Sequence, residues 1–305
     1  MSRKQPSAIP TRQLPDANWE HHELYLRVRE ALAAVPVYFR SETHIAGVMA
    51  TDLYTLNSVL GATIEEQVVR TLNLIRNVWD PDHKYSLYSF VRQPQTFPDV
   101  RLRRVGGGET LLGVELKGWY LLAKETEPSL RFQTTVEACA PADLIAVVPW
   151  VLGNVISGTP ILFEPFIESA RYAAEYRNHH WQYVRESTSD SSIVAPTGIV
   201  PYPTKADQIS DRPKSDGGGN FGRLARTGMM DDYVRKLEEV SVCRIQTVYW
   251  RDFLKAFQES TTDNQARAAI ERLRTRIQSA NTSPSPKSAA ALQIALELER
   301  MLADE

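Results

Sequence analysis

Hydrophobic positions recur at helical spacing near both ends of the chain and at strand spacing between them. A helical pattern covers residues 17–34 and should stop before Pro36, since proline breaks the helical hydrogen-bond ladder. Residues 43–62 read as short helical or irregular pieces. A clear helix follows over 63–78, with Thr63 as N-cap and Glu66 three residues on, the spacing of a capping box. Residues 84–93, 99–105 and 110–123 read as strands. The turn at 106–109, "GGGE", joins the last two into a hairpin. Residues 142–152 form a near-continuous apolar run rich in branched side chains, the pattern of a buried strand. A helix over 168–183 comes next. Residues 186–228, rich in Ser, Asp, Pro and Gly, predict long loops, and residues 1–16 a disordered arm. Helices at 263–279 and 287–303, joined by "NTSPSPK", close the chain. There is no internal repeat. Helix, four strands, helix is the order of a mixed α/β domain around a central sheet.

The strand at 110–123 carries an acid and a base inside an otherwise apolar stretch. Side chains alternate faces along a strand, so Gly113, Glu115, Lys117 and Trp119 share one face and Leu112, Val114, Leu116 and Gly118 the other. Alone, Glu115 and Lys117 are also readable as an ordinary exposed ion pair, worth ~0–1 kcal/mol. Two features change the picture. Asp99 opens the strand before the hairpin and can bring a second carboxylate near Glu115. Two close carboxylates repel and favour a hard divalent cation, although Asp after Pro is also a common turn residue. The second feature is the helix at 63–78. At about 100° per residue, with Ile64 at 0°, Val68, Leu72 and Ile75 fall at about 40°, 80° and 20°. Glu65 falls at about 100°, against that stripe, and Glu66 at about 200°, facing away. Glu65 is thus aimed at whatever the helix packs on, and a carboxylate there needs a partner or a path to water.

Composition sets broad limits. Apolar residues make up 43% and charged residues 24%, near the globular average. No apolar run reaches the length of a membrane span, and no apolar stretch follows the basic start as it would in a secretory signal. Cys139 and Cys243 are the only cysteines, which excludes a disulfide framework or a four-thiolate zinc site and points to a reducing cytoplasm. A net charge of −2 neither demands nor excludes nucleic acid, because a basic cleft can sit on a neutral protein.

Helix Glu65, then "PD" at Pro98–Asp99, then "ELK" at Glu115–Lys117 resembles the PD-(D/E)xK nucleases, the fold of most type II restriction endonucleases. The likeness covers residues 61–152, and the phrases "CAPADLIAVVPWVLGNVISG" and "SARYAAEYRNHHWQ" also look like those of bacterial restriction endonucleases. The resemblance implies an α/β fold with a restriction-endonuclease-like core: a central mixed sheet flanked by helices, with extra helices at both ends. It implies one nuclease domain over 17–262, with a catalytic core at 61–183 and recognition loops at 186–228, followed by a C-terminal helical pair at 263–305. Asp99, Glu115 and the carbonyl of Leu116 would hold Mg²⁺, Lys117 would orient or deprotonate the attacking water, and Glu65 would be an accessory contact. The implied activity is site-specific hydrolysis of double-stranded DNA to 5′-phosphate and 3′-hydroxyl ends. The implied partners are double-stranded DNA, a second copy in a homodimer and a DNA methyltransferase encoded nearby. A structure-specific repair nuclease and a non-catalytic DNA-binding protein of the same fold are the alternatives.

Other motifs carry less. His21–His22 and His179–His180 are neighbours that point about 100° apart on a helix, a poor arrangement for one metal. "DGGGNFGR" at 216–223 lacks the Lys-Ser/Thr of a phosphate loop. "RLRR" at 101–104 could bind phosphates or solvate the outer face of the hairpin. Arg223 and Arg226 lie where side chains could read base edges.

Overall fold

In a computed structural model, residues 8–47, 53–93, 95–255, 262–279 and 296 are described. Helix α1 (His22–Tyr38) precedes α2 (Leu53–Leu74) and the single turn α3 (Arg76–Trp79). Strands β1 (Tyr88–Arg92), β2 (Val100–Arg104) and β3 (Thr110–Tyr120) follow, then β4 (Leu144–Leu152), β5 (Pro160–Leu162) and β6 (Phe166–Ser169). These six form one mixed sheet. Its order is β1-β2-β3-β4-β5, with β6 beside β5 on the far edge of β4. β1, β2 and β3 are antiparallel in succession, β3 and β4 run parallel, and β5 and β6 pair antiparallel with opposite halves of β4. All nine residues of β4 are buried, as its unbroken apolar run requires when both edges and both faces are covered.

Helices flank the sheet. α2 packs on β1 and β3, α1 on α2 and α3, and α4 (Ala170–His179) on β4 and β6. Beyond α4 the chain makes one wide helical turn (His180–Val184) and enters a long loop region containing the two-residue pair β7 (Ile193–Val194) and β8 (Arg212–Pro213). Helix α5 (Asp231–Glu238), the small hairpin β9 (Ser241–Val242) and β10 (Ile245–Gln246), α6 (Thr247–Leu254) and α7 (Asp263–Ser279) complete the described chain.

Several boundaries differ from the sequence reading, each for a local reason. α1 starts late because Asp16 closes a turn over the preceding residues: its carboxylate accepts from Asn18 N at 2.9 Å and its carbonyl from Trp19 N. It then runs through Pro36, because the stripe Leu24, Val28, Leu32 and Val35 is buried and outweighs the missing N–H of the last turn. Thr63 and Glu66 do not cap a helix. α2 begins at least ten residues earlier, so Thr63 Oγ1 bonds back to Val59 O at 3.5 Å and Glu66 pairs with Arg70 at 3.2 Å. β1 starts at Tyr88 because Asp80 accepts from Tyr85 N and holds the approach in a turn. α4 starts at Ala170, with Ser169 as its cap, because Phe166–Ser169 pairs with β4 instead. The helix expected at 287–303 lies outside the described residues, apart from Leu296. Of the N-terminal arm, residues 8–16 carry no helix or strand, and Arg12 pairs with Glu168 at 2.6 Å. No described helix is long and apolar enough to cross a membrane.

Candidate active site

β2 and β3 part company at the rung Val100↔Val114, while β3 continues along β4 as far as Tyr120↔Trp150. The outer edge of β3 beyond Val114 therefore has no strand partner, and its N–H groups need other acceptors. Carboxylates supply them. Leu116 N donates to Asp99 Oδ2 at 3.1 Å, and Gly118 N donates to Glu65 Oε1 at 3.0 Å. Extending the β2–β3 register by one residue sets Asp99 opposite Glu115, and Asp99 N donates to Glu115 Oε2 at 3.3 Å.

Glu65 reaches this edge because α2 lies backbone-first on β3. Gly61 and Gly118 mark the contact: a Cβ on Gly118 would stand 3.5 Å from Gly61 O, an ordinary van der Waals distance. Glu65 follows Gly61 by one helical turn and so stands over the same edge. Its other oxygen faces Arg92 at 3.6 Å. Lys117 sits half-buried between Leu116 and Gly118, on the face of β3 that carries Glu115.

The two facing carboxyls hold their protons unusually well. Burial, reinforced by the negative charge of Glu65, raises the Asp99 carboxyl to about 6, although the Leu116 N–H, Arg92 and Lys117 pull the other way. Burial, then the charge of Asp99, raises Glu115 to about 8, against the opposing pull of the Asp99 N–H and Lys117. Like charges this close resist joint ionisation, and the pair titrates as a unit.

Behind the pair lies a layer that the sequence reading missed. Asp143, the residue before β4, is fully buried; its Oδ1 accepts from Gly113 N at 2.7 Å and from the Tyr202 hydroxyl at 3.2 Å, and its Oδ2 from Ala140 N at 2.8 Å. Gly113 is bare because Pro98 needs the space: a Cβ there would meet Pro98 Cγ at 2.1 Å and Asp143 Oδ1 at 2.9 Å. Arg101 is turned inward; its guanidinium lies 5.2 Å from the centre of the Tyr202 ring and donates to Phe97 O and Pro203 O, both at 3.1 Å. It is therefore committed to the loop rather than to phosphate or solvent. The signal available in the sequence was an acid at the mouth of an apolar strand, "ADLIAVV".

Asp99, Glu115 and Leu116 suit a hard cation. Both carboxylates are desolvated and mutually repelling, which is what a divalent charge would relieve. The N–H and C=O of one strand residue point to the same side, so the Leu116 carbonyl opens on the edge its N–H shares with Asp99. Glu65 is not part of that set. Its oxygens are engaged by Gly118 and Arg92, and among the described residues no three His, Cys, Asp or Glu side chains are grouped to hold a metal.

The remaining candidates fall elsewhere. His21 Nδ1 lies 2.9 Å from the Tyr85 hydroxyl. Asp216 accepts from Asn220 N and Phe221 N, which closes the Gly-rich segment into a turn. Arg223 and Arg226 face Glu125 at 3.3 Å and Glu127 at 2.5 Å. No family model matches the chain, and no curated protein matches its sequence.

Proposed function

We propose that this chain is a Mg²⁺-dependent endonuclease of the type II restriction kind, cutting double-stranded DNA at discrete sequences to leave 5′-phosphate and 3′-hydroxyl ends. The observation that carries the reading is the facing pair Asp99 and Glu115 at the point where β2 leaves β3, with Lys117 two residues on along Glu115's face. The Asp99 and Glu115 carboxylates and the Leu116 carbonyl would hold the ion. A divalent cation bound there supplies Lewis-acid stabilisation of charge on the scissile phosphate and the leaving oxygen.

The protein's own groups do the rest. Asp99 is pinned by Leu116 N and Glu115 by Asp99 N, so neither carboxylate must reorganise when a phosphate arrives. Lys117 donates hydrogen bonds that orient a water for in-line attack on phosphorus. Glu65 holds the free edge of β3 at Gly118, which fixes Lys117 from the residue beyond it. Loop residues within 186–228 reach base edges, and a twofold dimer presents two such sites to the two strands. In this reading the enzyme works in the cytoplasm and has a DNA methyltransferase companion that protects the host sites.

The test is direct. Plasmid and phage DNAs incubated with the protein and Mg²⁺ should yield discrete bands that disappear with EDTA, and end-mapping should find 5′-phosphates. Intact DNA across substrates rich in different sites would overturn the proposal.

A further inference from the structure

The loop region 186–228 is fastened to the candidate site at two points, and each lies two residues before one of the facing carboxylates. Arg101 ties Pro203 to Phe97, two residues before Asp99. Asp143 ties Tyr202 to Gly113, two residues before Glu115. Both ties meet at the Tyr202 side chain, whose ring stacks against the Arg101 guanidinium and whose hydroxyl donates to Asp143. Asp143 is fully buried and takes three hydrogen bonds, so it cannot follow Tyr202 outward without leaving a desolvated carboxylate short of donors. Gly113 sits between Pro98 and the Asp143 carboxylate, which occupy the space a Cβ there would fill. Residues 202–203 are thereby linked by short chains of contacts to Pro98–Asp99 and to the β3 backbone before Glu115.

We infer that Tyr202 is a positioning residue: it couples the long loop to the spacing of Asp99 and Glu115 through Asp143 and Arg101, so that the loop's seating sets the competence of the carboxylate pair. This rests on the endonuclease reading for its consequence, since a loop seated on the correct DNA would then license cutting. The coupling itself needs only that the pair bind a divalent cation.

The variant to make is Tyr202→Phe, which keeps the ring against Arg101 and removes only the hydroxyl's bond to Asp143. Outer partners of metal ligands typically change metal affinity or activity by about 10- to 100-fold. Two readouts follow. In DNA cleavage, kcat should fall about tenfold with KM for DNA unchanged, because the loop surface is intact. Without DNA, the Mg²⁺ concentration that half-maximally raises the melting temperature should increase by about tenfold. Tyr202→Phe combined with Asp143→Asn should be no worse than Asp143→Asn alone, because both act on one connection.

A Tyr202→Phe protein with normal kcat and normal Mg²⁺ dependence overturns the coupling and leaves the endonuclease reading standing. Equal losses in folded fraction and kcat, with the Mg²⁺ midpoint unmoved, would mark Tyr202 as merely structural and also overturn it. If the full chain cuts no DNA, yet Tyr202→Phe shifts the Mg²⁺ midpoint, the coupling stands and the endonuclease reading falls.

Discussion

Asp99 and Glu115 face each other one residue past the last rung that β2 and β3 share, each bound to the other's strand. The Asp99 carboxylate accepts from Leu116 N, and the Glu115 carboxylate accepts from Asp99 N. Asp99 thus satisfies an open N–H of β3 and Glu115 satisfies the N–H of Asp99, but the two acids repel each other as anions. The folded chain is therefore built around a local electrostatic cost that one divalent cation would cancel.

That cost should appear in the pH dependence of stability. Asp99 is raised to about 6, Glu115 to about 8 and the neighbouring Asp143 to about 6, each chiefly by burial. A raised carboxyl binds its proton more tightly in the folded state. Its stabilisation is thus complete below the ordinary carboxyl range and is lost as pH rises through the raised value. In EDTA the melting temperature should fall between pH 5 and pH 9, and Glu115→Gln should remove most of the slope above pH 7. Mg²⁺ at pH 8 should restore stability to the parent protein but not to Glu115→Gln. The same slope in both proteins would show that the pair does not carry the effect.

The proposed catalytic roles predict a separation of binding from cutting. Asp99→Asn, Glu115→Gln and Lys117→Ala should each lower kcat on the order of 10²-fold or more, since several kcal/mol of charge stabilisation or water positioning is removed. DNA binding in Ca²⁺ should persist, because none of the three is a base-reading residue. Gel shifts and single-turnover cleavage on the same preparations decide it.

Glu65 and Glu66 are adjacent on α2 but differ in what they touch. Glu65 bonds Gly118 N on β3, whereas Glu66 pairs with Arg70 on its own helix. Glu65→Ala should impair turnover clearly, and Glu66→Ala should leave turnover intact and cost about 0.3–0.5 kcal/mol, the worth of an exposed i,i+4 pair. Matching turnover in the two folded variants would contradict the assignment.

Gly113 offers a steric test of the same geometry. An alanine Cβ would sit 2.1 Å from Pro98 Cγ, so Pro98 and Asp99 must shift. Overpacking of this kind typically costs about 1–3 kcal/mol. Gly113→Ala should melt earlier and lose cutting more than DNA binding; unchanged cleavage would mean that Asp99's position is not critical.

Much of this arrangement was legible from local rules. Alternation put Glu115 and Lys117 on one face of β3, helix phase aimed Glu65 at the sheet, and the apolar run announced β4. The errors came where tertiary packing overrode a local signal. Thr63 and Glu66 looked like a capping box, but α2 begins at least ten residues earlier and passes Gly61 against Gly118, so Thr63 caps nothing. Pro36 looked like a stop, but its helix is held by a buried stripe. β5 and β6 are too short to show a period of their own. Asp143 and Tyr202 meet across 59 residues, a relationship that no spacing rule encodes.

The C-terminal helices provide the last test. α7 packs against α6 of its own chain through the buried Ile270, so the first of the two expected helices is already partnered. The sequence beyond it, joined by "NTSPSPK", carries Leu292, Leu296 and Leu298 together with the small residues Ala289, Ala290 and Ala295. Small residues let two helices approach closely, so the proposed dimer is expected to form through this segment. Deletion of residues 281–305 should then convert a dimer to a monomer while leaving the Asp99–Glu115–Lys117 set intact. In the proposed endonuclease a lone protomer holds one such set and would cut one strand, so supercoiled plasmid should be nicked and no longer linearised. Sedimentation or light scattering reads the mass, and agarose gels read the topology. A truncated protein that remains dimeric, or a full-length chain that is monomeric, sinks the idea. A truncated monomer that still linearises plasmid in a single binding event would show instead that one protomer reaches both strands.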